Sequence, residues 1–213
     1  MRQQMVLERL AGAEQMALHG VVGQVIAAGC AGVGFCIVNG GDPASWLCSF
    51  VAGAFIFAIR RPLAARKFNI HLTLFVVALA GSLLSSLLAS LARTATPVVA
   101  LVGPILFLVP GVPLINGGID VIRNHVAIGI ARVGFTVAVV VALCLAASLT
   151  VQLIPLGVSP PFLSPGASEI ILFSLAGALA AGALAWLNNG GVPLVALCAL
   201  GGWTGRLVRA WVT

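Results

Sequence analysis

Gly-Pro-Ile-Leu-Phe-Leu-Val-Pro-Gly-Val-Pro-Leu-Ile-Asn-Gly, residues 103–117, is the stretch on which the fold turns. It is apolar enough to sit in a bilayer, yet Pro104, Pro110 and Pro113 each remove a backbone donor. Gly103, Gly111 and Gly117 weaken a helix further. A helix broken inside hydrocarbon leaves N–H and carbonyl groups that lipid cannot satisfy, so they must face protein or a watery cavity. Discontinuous helices of this kind form substrate sites in transporters, with half-helix ends aimed at charged ligand groups. The sequence therefore points beyond a membrane anchor, towards transport.

The surrounding composition agrees. The 213 residues are 61% hydrophobic and 8% charged, whereas soluble domains carry about 25% charged residues. No soluble core could hide so much apolar surface, and the class is all-α, a polytopic transmembrane helical bundle. The 11 Lys and Arg outnumber the 5 Asp and Glu, but the basic residues lie between apolar runs, where they set orientation in a membrane rather than bind nucleic acid. Cys30, Cys36, Cys48, Cys144 and Cys198 all fall inside apolar runs. They show neither metal-ligand spacing nor a disulfide framework and read as small packing residues. No nucleophile–base pair, metal cluster or phosphate loop suggests an enzyme, and no cofactor or metal is expected.

Apolar runs cover residues 21–39, 44–59, 70–91, 98–117 and 126–153, followed by two shorter ones at 170–187 and 192–200. A span needs about 20 residues, so the chain divides into an amphipathic cytoplasmic lead-in (1–20), a five-span half (21–155), and a loop with a terminal hairpin (156–213). Arg60, Arg61, Arg66 and Lys67 form a basic loop without an acid, while the first outer segments carry only Arg93. The excess of Lys and Arg places the N-terminus in the cytoplasm. At an offset of 150, Gly32, Asn39-Gly40-Gly41, Pro43 and Cys48 match Gly182, Asn189-Gly190-Gly191, Pro193 and Cys198. Five spans separate the two blocks, so the second is expected as part of an inverted repeat.

These residues bear a family resemblance. Gly34-Phe35 through Gly40-Gly41-Asp42, Arg66-Lys67-Phe68-Asn69, Val109-Pro110-Gly111-Val112-Pro113-Leu114-Ile115-Asn116, Asp120, and Gly129-x-Ala131-Arg132 are similar to the threonine/serine exporter family. The chain resembles its N-terminal five-span half, like the larger subunit of split exporters. The resemblance implies two five-span halves, fused or as two subunits, and export of threonine and serine driven by the proton motive force. For split members it implies export of succinate or another dicarboxylate instead.

Pro110, Gly111, Asn116, Asp120 and Arg132 are the candidate substrate-binding residues. Freed backbone at Pro110-Gly111 would coordinate substrate or ion, Asn116 could hydrogen-bond a ligand or a neighbouring helix, and Arg132 would meet a carboxylate or pair with Asp120 as a gate. The plain alternative is an ion pair at the inner interface with Arg132 snorkelling. Asp42 is expected in a solvated turn, and His71 and His125 as tolerated interfacial residues. Ser82, Ser85 and Ser86 with Gly81 are expected to pack helices closely. The expected function is secondary export of small carboxylate-bearing metabolites such as threonine or serine across the inner (plasma) membrane. A dicarboxylate export subunit and a non-transporting membrane scaffold are the alternatives. Because the second repeat stops after one hairpin, the chain is expected to need a complementary membrane subunit or a second copy of itself.

Overall fold

The computed structural model describes residues 19–66, 69–157 and 167–212, so the lead-in expected over 1–20 lies almost wholly outside the described residues. The described residues are helical, with eight helices. They are α1 (Val21–Val38), α2 (Pro43–Ala65), α3 (Ile70–Ala92), α4 (Pro97–Leu106), α5 (Gly111–Ile122), α6 (Val126–Leu153), α7 (Ala167–Leu187) and α8 (Val192–Val212). Five of them are long and apolar enough to cross a membrane, and α4 with α5 makes a sixth candidate span bent by 58°. Local chemistry sets the boundaries. Pro43 and Pro97 open α2 and α4, where a missing N–H costs nothing. Asn69 caps α3 by accepting from the His71 backbone N–H at 2.9 Å.

Three boundaries differ from the sequence reading. Helix α5 runs past residue 117 to Ile122 and so carries Asp120. Helix α2 continues through Arg60, Arg61 and Pro62 to Ala65, so the two arginines ride on a helix instead of opening a loop. Helix α8 continues past Gly201-Gly202 to Val212, because the packing of Gly202 against α7 makes a helical glycine worthwhile.

Helix α1 lies between α2, α4 and α7, with small residues at the crossings as membrane helices favour. Its C-terminal half meets the N-terminal half of α7, where a Cβ on Gly34 would sit 2.8 Å from the Ala176 carbonyl. At its other end His19 reaches the Gly190 carbonyl beyond the end of α7 at 3.0 Å. The two helices are thus antiparallel. Each begins a hairpin closed by the same turn. Gly41 N–H donates to the Cys36 carbonyl at 2.9 Å, as Gly190 does to Ala185 at 2.9 Å. The left-handed residue of the first turn is Gly40 (φ 78°) and of the second Asn189 (φ 57°), as suits a helix ending in glycine or asparagine. Gly40 to Asn189 is a step of 149. The same step carries the tight crossing of Gly53 on Ala28 to that of Gly202 on Gly177. The repeat is inverted, and its structural register is 149, one residue less than the sequence matches suggest.

Hydroxyls join the helices inside the bundle. Ser82 Oγ and Thr150 Oγ1 lie 2.5 Å apart. Ser85 and Ser49 both donate to the Ala100 carbonyl, at 2.6 Å and 3.2 Å. Asp42 is not in a solvated turn. Its half-buried carboxylate accepts from Thr96 Oγ1 at 2.6 Å and from Ser45 Oγ, tying the α1–α2 turn to the start of α4. Burial pushes this carboxyl up, but the hydrogen bonds from Ser45 and Thr96 outweigh it and hold the group below its ordinary value. Large apolar side chains such as Leu87, Ile128, Val141 and Leu145 point outwards, as lipid as a solvent allows.

Candidate functional site

The chain breaks where residues 107–110 join α4 to α5. Pro110 stands immediately before α5 and Pro113 is its third residue. In a continuous helix Pro113 could not donate to the Val109 carbonyl. Gly111 N–H turns back to the Val109 carbonyl at 2.9 Å, and Leu114 N–H reaches the Pro110 carbonyl only at 3.4 Å. Val112 N–H is left at the start of a 12-residue helix, the end that carries partial positive charge. Among the described residues no hydrogen bond is made to the carbonyls of Phe107 and Leu108.

The break lines a cleft of about 950 Å³. Phe35, Phe57, Phe107 and Phe135 are its aromatic members, and Leu106 through Pro113 line it continuously. Among the described residues its polar members are His19, Gln24, Arg60, Arg61, Asn188 and Asn189, with no carboxylate. Helix α2 supplies Phe57, Arg60, Arg61 and Ala64, which fall on one helical face by their spacing. The cleft opens at the end of the bundle that holds the α2 C-terminus and the α7–α8 turn. The Asp42–Thr96–Ser45 cluster closes the opposite end, one length of α2 away. That helix has 23 residues, or about 34 Å.

Much of the rim is already engaged. The His19 ring stacks on Trp186 with centroids 3.8 Å apart. Gln24 Nε2 donates to Asn189 Oδ1 at 3.1 Å, and Asn188 Nδ2 donates to the Leu184 carbonyl at 2.8 Å.

The candidate residues read from the sequence fall into two groups. Pro110 and Gly111 line the cleft. Asn116 and Arg132 line a shallower groove of about 690 Å³, which shares Val112, Pro113 and Phe135 with the cleft. Arg132 Nη1 donates to Asp120 Oδ2 at 2.6 Å, and the pair is partly open, with 46% of the Arg132 side chain exposed and 20% of that of Asp120. It bridges α5 to α6, the only helix that α5 packs against among the described residues. His125 is exposed beside this hairpin, whereas the His71 ring tilts against Phe135 at 5.3 Å.

The sequence reading missed Arg60 and Arg61 as cleft residues, having taken them for a loop that orients the protein. Their spacing of three and four from Phe57, on a run with no helix breaker before Pro62, is the signal that places them.

Comparisons with known proteins complete the picture. No solved structure matches the chain significantly. Over 111 residues it is 32% identical to the "Probable succinate transporter subunit YjjP" of Escherichia coli (strain K12). Over 112 residues it is 30% identical to the protein of the same name from Klebsiella aerogenes. Each alignment covers 52% of this chain and 43% of the relative. Residues 1–154 match the family described as "Putative threonine/serine exporter". A multi-pass bundle with a broken span, matched over most of its length, belongs to the threonine/serine exporter family of membrane transport proteins.

Proposed function

We propose that the chain is half of a secondary transporter that exports small carboxylate-bearing metabolites across the inner (plasma) membrane, driven by the proton motive force. The observation that carries this reading is the break at residues 107–110, whose residues line a cleft at one end of the bundle. Water would satisfy such a break in a soluble fold, but lipid does not tolerate it unfilled. With the N-terminus in the cytoplasm, the cleft faces the compartment from which an exporter loads. Pro110 and Gly111 shape it, Asn116 and Arg132 line the adjoining groove, and the Arg132–Asp120 pair gates passage between the two.

Threonine and serine are supported by the carbonyls of Phe107 and Leu108, which take no hydrogen bond among the described residues and would serve as acceptors for an ammonium group. A dicarboxylate such as succinate is a second reading. It is favoured by the presence of Arg60 and Arg61 without any carboxylate among the described lining residues, and it agrees with the name of the two relatives.

The inverted repeat supports a complementary subunit. In α2 the buried residues Ser45, Cys48, Ser49 and Ala52 pack into the bundle. One repeat later stand Leu194, Leu197, Cys198 and Gly201. Leu194 and Leu197 are more than half exposed, and a Cβ on Gly201 would meet nothing within 4 Å. Helix α8 packs on α7 alone among the described residues, so the face that α2 gives to its own half is left open for helices of a partner.

Inside-out vesicles from cells making the chain with its complementary subunit test the reading. Labelled threonine, serine or succinate should accumulate when respiration acidifies the lumen, and a protonophore should abolish the accumulation. The chain alone should give none. Absence of flux for all three compounds from the assembled pair would overturn the proposal.

A further inference from the structure

We propose that Arg60, and not Arg132, is the residue that grips the substrate carboxylate. This rests on the reading of the cleft as the transport path and adds the contact by which the cleft would recognise its cargo.

Arg60 is half-buried on the cleft wall of α2, while its neighbour Arg61 is exposed. Among the described residues no hydrogen bond or ion pair engages the Arg60 guanidinium, and none of those that line the cleft is an Asp or Glu. A partly desolvated cation without a partner is costly, and in a membrane protein it marks a place where an anion is expected. The guanidinium offers five donors in a planar fork that fits a carboxylate with two parallel hydrogen bonds.

The other donors of the cleft point to the same class of ligand. The N-terminal end of α5 lines the same space, with Val112 N–H unclaimed by the turn. Helix N-termini attract carboxylates through such donors and through the helix dipole. A Cβ on Gly111 would meet nothing within 4 Å, so the approach to this end is open. Of the other basic side chains, Arg61 is exposed, and the His19 ring lies stacked on Trp186 and within hydrogen-bond distance of the Gly190 carbonyl.

Arg132 is the weaker candidate on geometry. Asp120 already holds it at 2.6 Å, and it lines the adjoining groove, not the cleft. A substrate carboxylate would have to displace an ion pair to reach it. At Arg60 no described side chain would have to be displaced.

The test uses the full chain assembled with its complementary subunit in inside-out vesicles. Flux of threonine and of succinate is measured for the wild type and for Arg60→Gln, Arg60→Lys and Arg132→Gln. Arg60→Gln should raise the half-saturating concentration about tenfold or more, the scale of a lost hydrogen bond to a charged group. Arg60→Lys should recover part of the loss, because lysine keeps the charge without the fork. Arg132→Gln should leave half-saturation within about twofold of wild type while lowering the maximal rate.

Phenylglyoxal footprinting of the wild-type vesicles gives a second readout that needs no variant to fold. Succinate or threonine should protect Arg60 from modification and leave Arg132 unprotected. Unchanged half-saturation in Arg60→Gln, or modification of Arg60 at equal rates with and without ligand, would overturn the anchor while wild-type flux keeps the transport reading intact. Absence of wild-type flux would remove both.

Discussion

Replacing Pro110, Gly111 and Pro113 together by alanine is expected to abolish export while the chain still inserts and assembles. Prolines in a helix interior cost about 3 kcal/mol each and glycine about 1 kcal/mol relative to alanine. Their removal favours one continuous helix over the 58° bend between α4 and α5. Pro113 must be included, because it would still leave the Val109 carbonyl without a donor. Pro104 can stay, since it already sits inside α4. Straightening would pair the break's free backbone groups and withdraw the α5 N-terminus from the cleft. Flux in vesicles should fall by at least about tenfold, since even a 1 Å misplacement of binding groups can cost more than that. Wild-type flux in the triple variant, with normal membrane levels, would show that the break is only a packing kink.

Gly129→Leu should be nearly as damaging, through a different cause. A Cβ at Gly129 would sit 2.5 Å from Val121 Cγ2 and 2.7 Å from the Gly117 carbonyl, which is backbone and cannot step aside. Among the described residues helix α5 packs on α6 alone, so a clash at this crossing moves the whole helix, its N-terminus in the cleft included. Transport should be lost although α1 to α4 still pack. Arg132→Leu is the milder comparison. It removes an ion pair with a half-exposed arginine, and such pairs contribute about 1 kcal/mol or less. The loss from Gly129→Leu should exceed that from Arg132→Leu several-fold, measured as flux at equal protein in the membrane. Equal losses would mean that the ion pair, and not the glycine contact, holds α5 in place.

The helical class and the place of the break were legible in the sequence for a plain reason. Hydrocarbon imposes one requirement on backbone, and residues 103–117 conflict with it in a way no side chain can hide. The inverted repeat was legible too, but one residue out of register. Matching letters set Asn39 on Asn189, whereas the turns set Gly40 on Asn189, since asparagine tolerates the left-handed conformation almost as glycine does. Sequence reads the residue type; the turn reads the torsion angle.

The site was less legible. Arginines at the end of an apolar run carry two meanings, an orientation signal and a cleft wall, and charge counting hears only the first. That count puts Arg60 in a loop, while Arg132 stands out because it interrupts an apolar run. Its partner twelve residues away was visible as a pairing, but not the 20% exposure of Asp120 or the separate groove. Asp42 misled for a related reason. Gly-Asp-Pro is turn chemistry, and nothing local reveals that Thr96, 54 residues later, donates to that carboxylate.

Substrate protection of the break tests the account most directly. In a cysteine-free background that retains transport, Val109→Cys places a thiol on the cleft lining and Arg123→Cys places one on the exposed α5–α6 turn. Maleimide labelling is followed in inside-out vesicles carrying the assembled transporter, with and without saturating threonine or succinate. The transported compound should slow labelling at position 109 about tenfold and leave position 123 unchanged, as expected when a bound ligand fills the space the reagent needs. Equal labelling of position 109 in both conditions, in vesicles that still transport, would place the substrate path elsewhere.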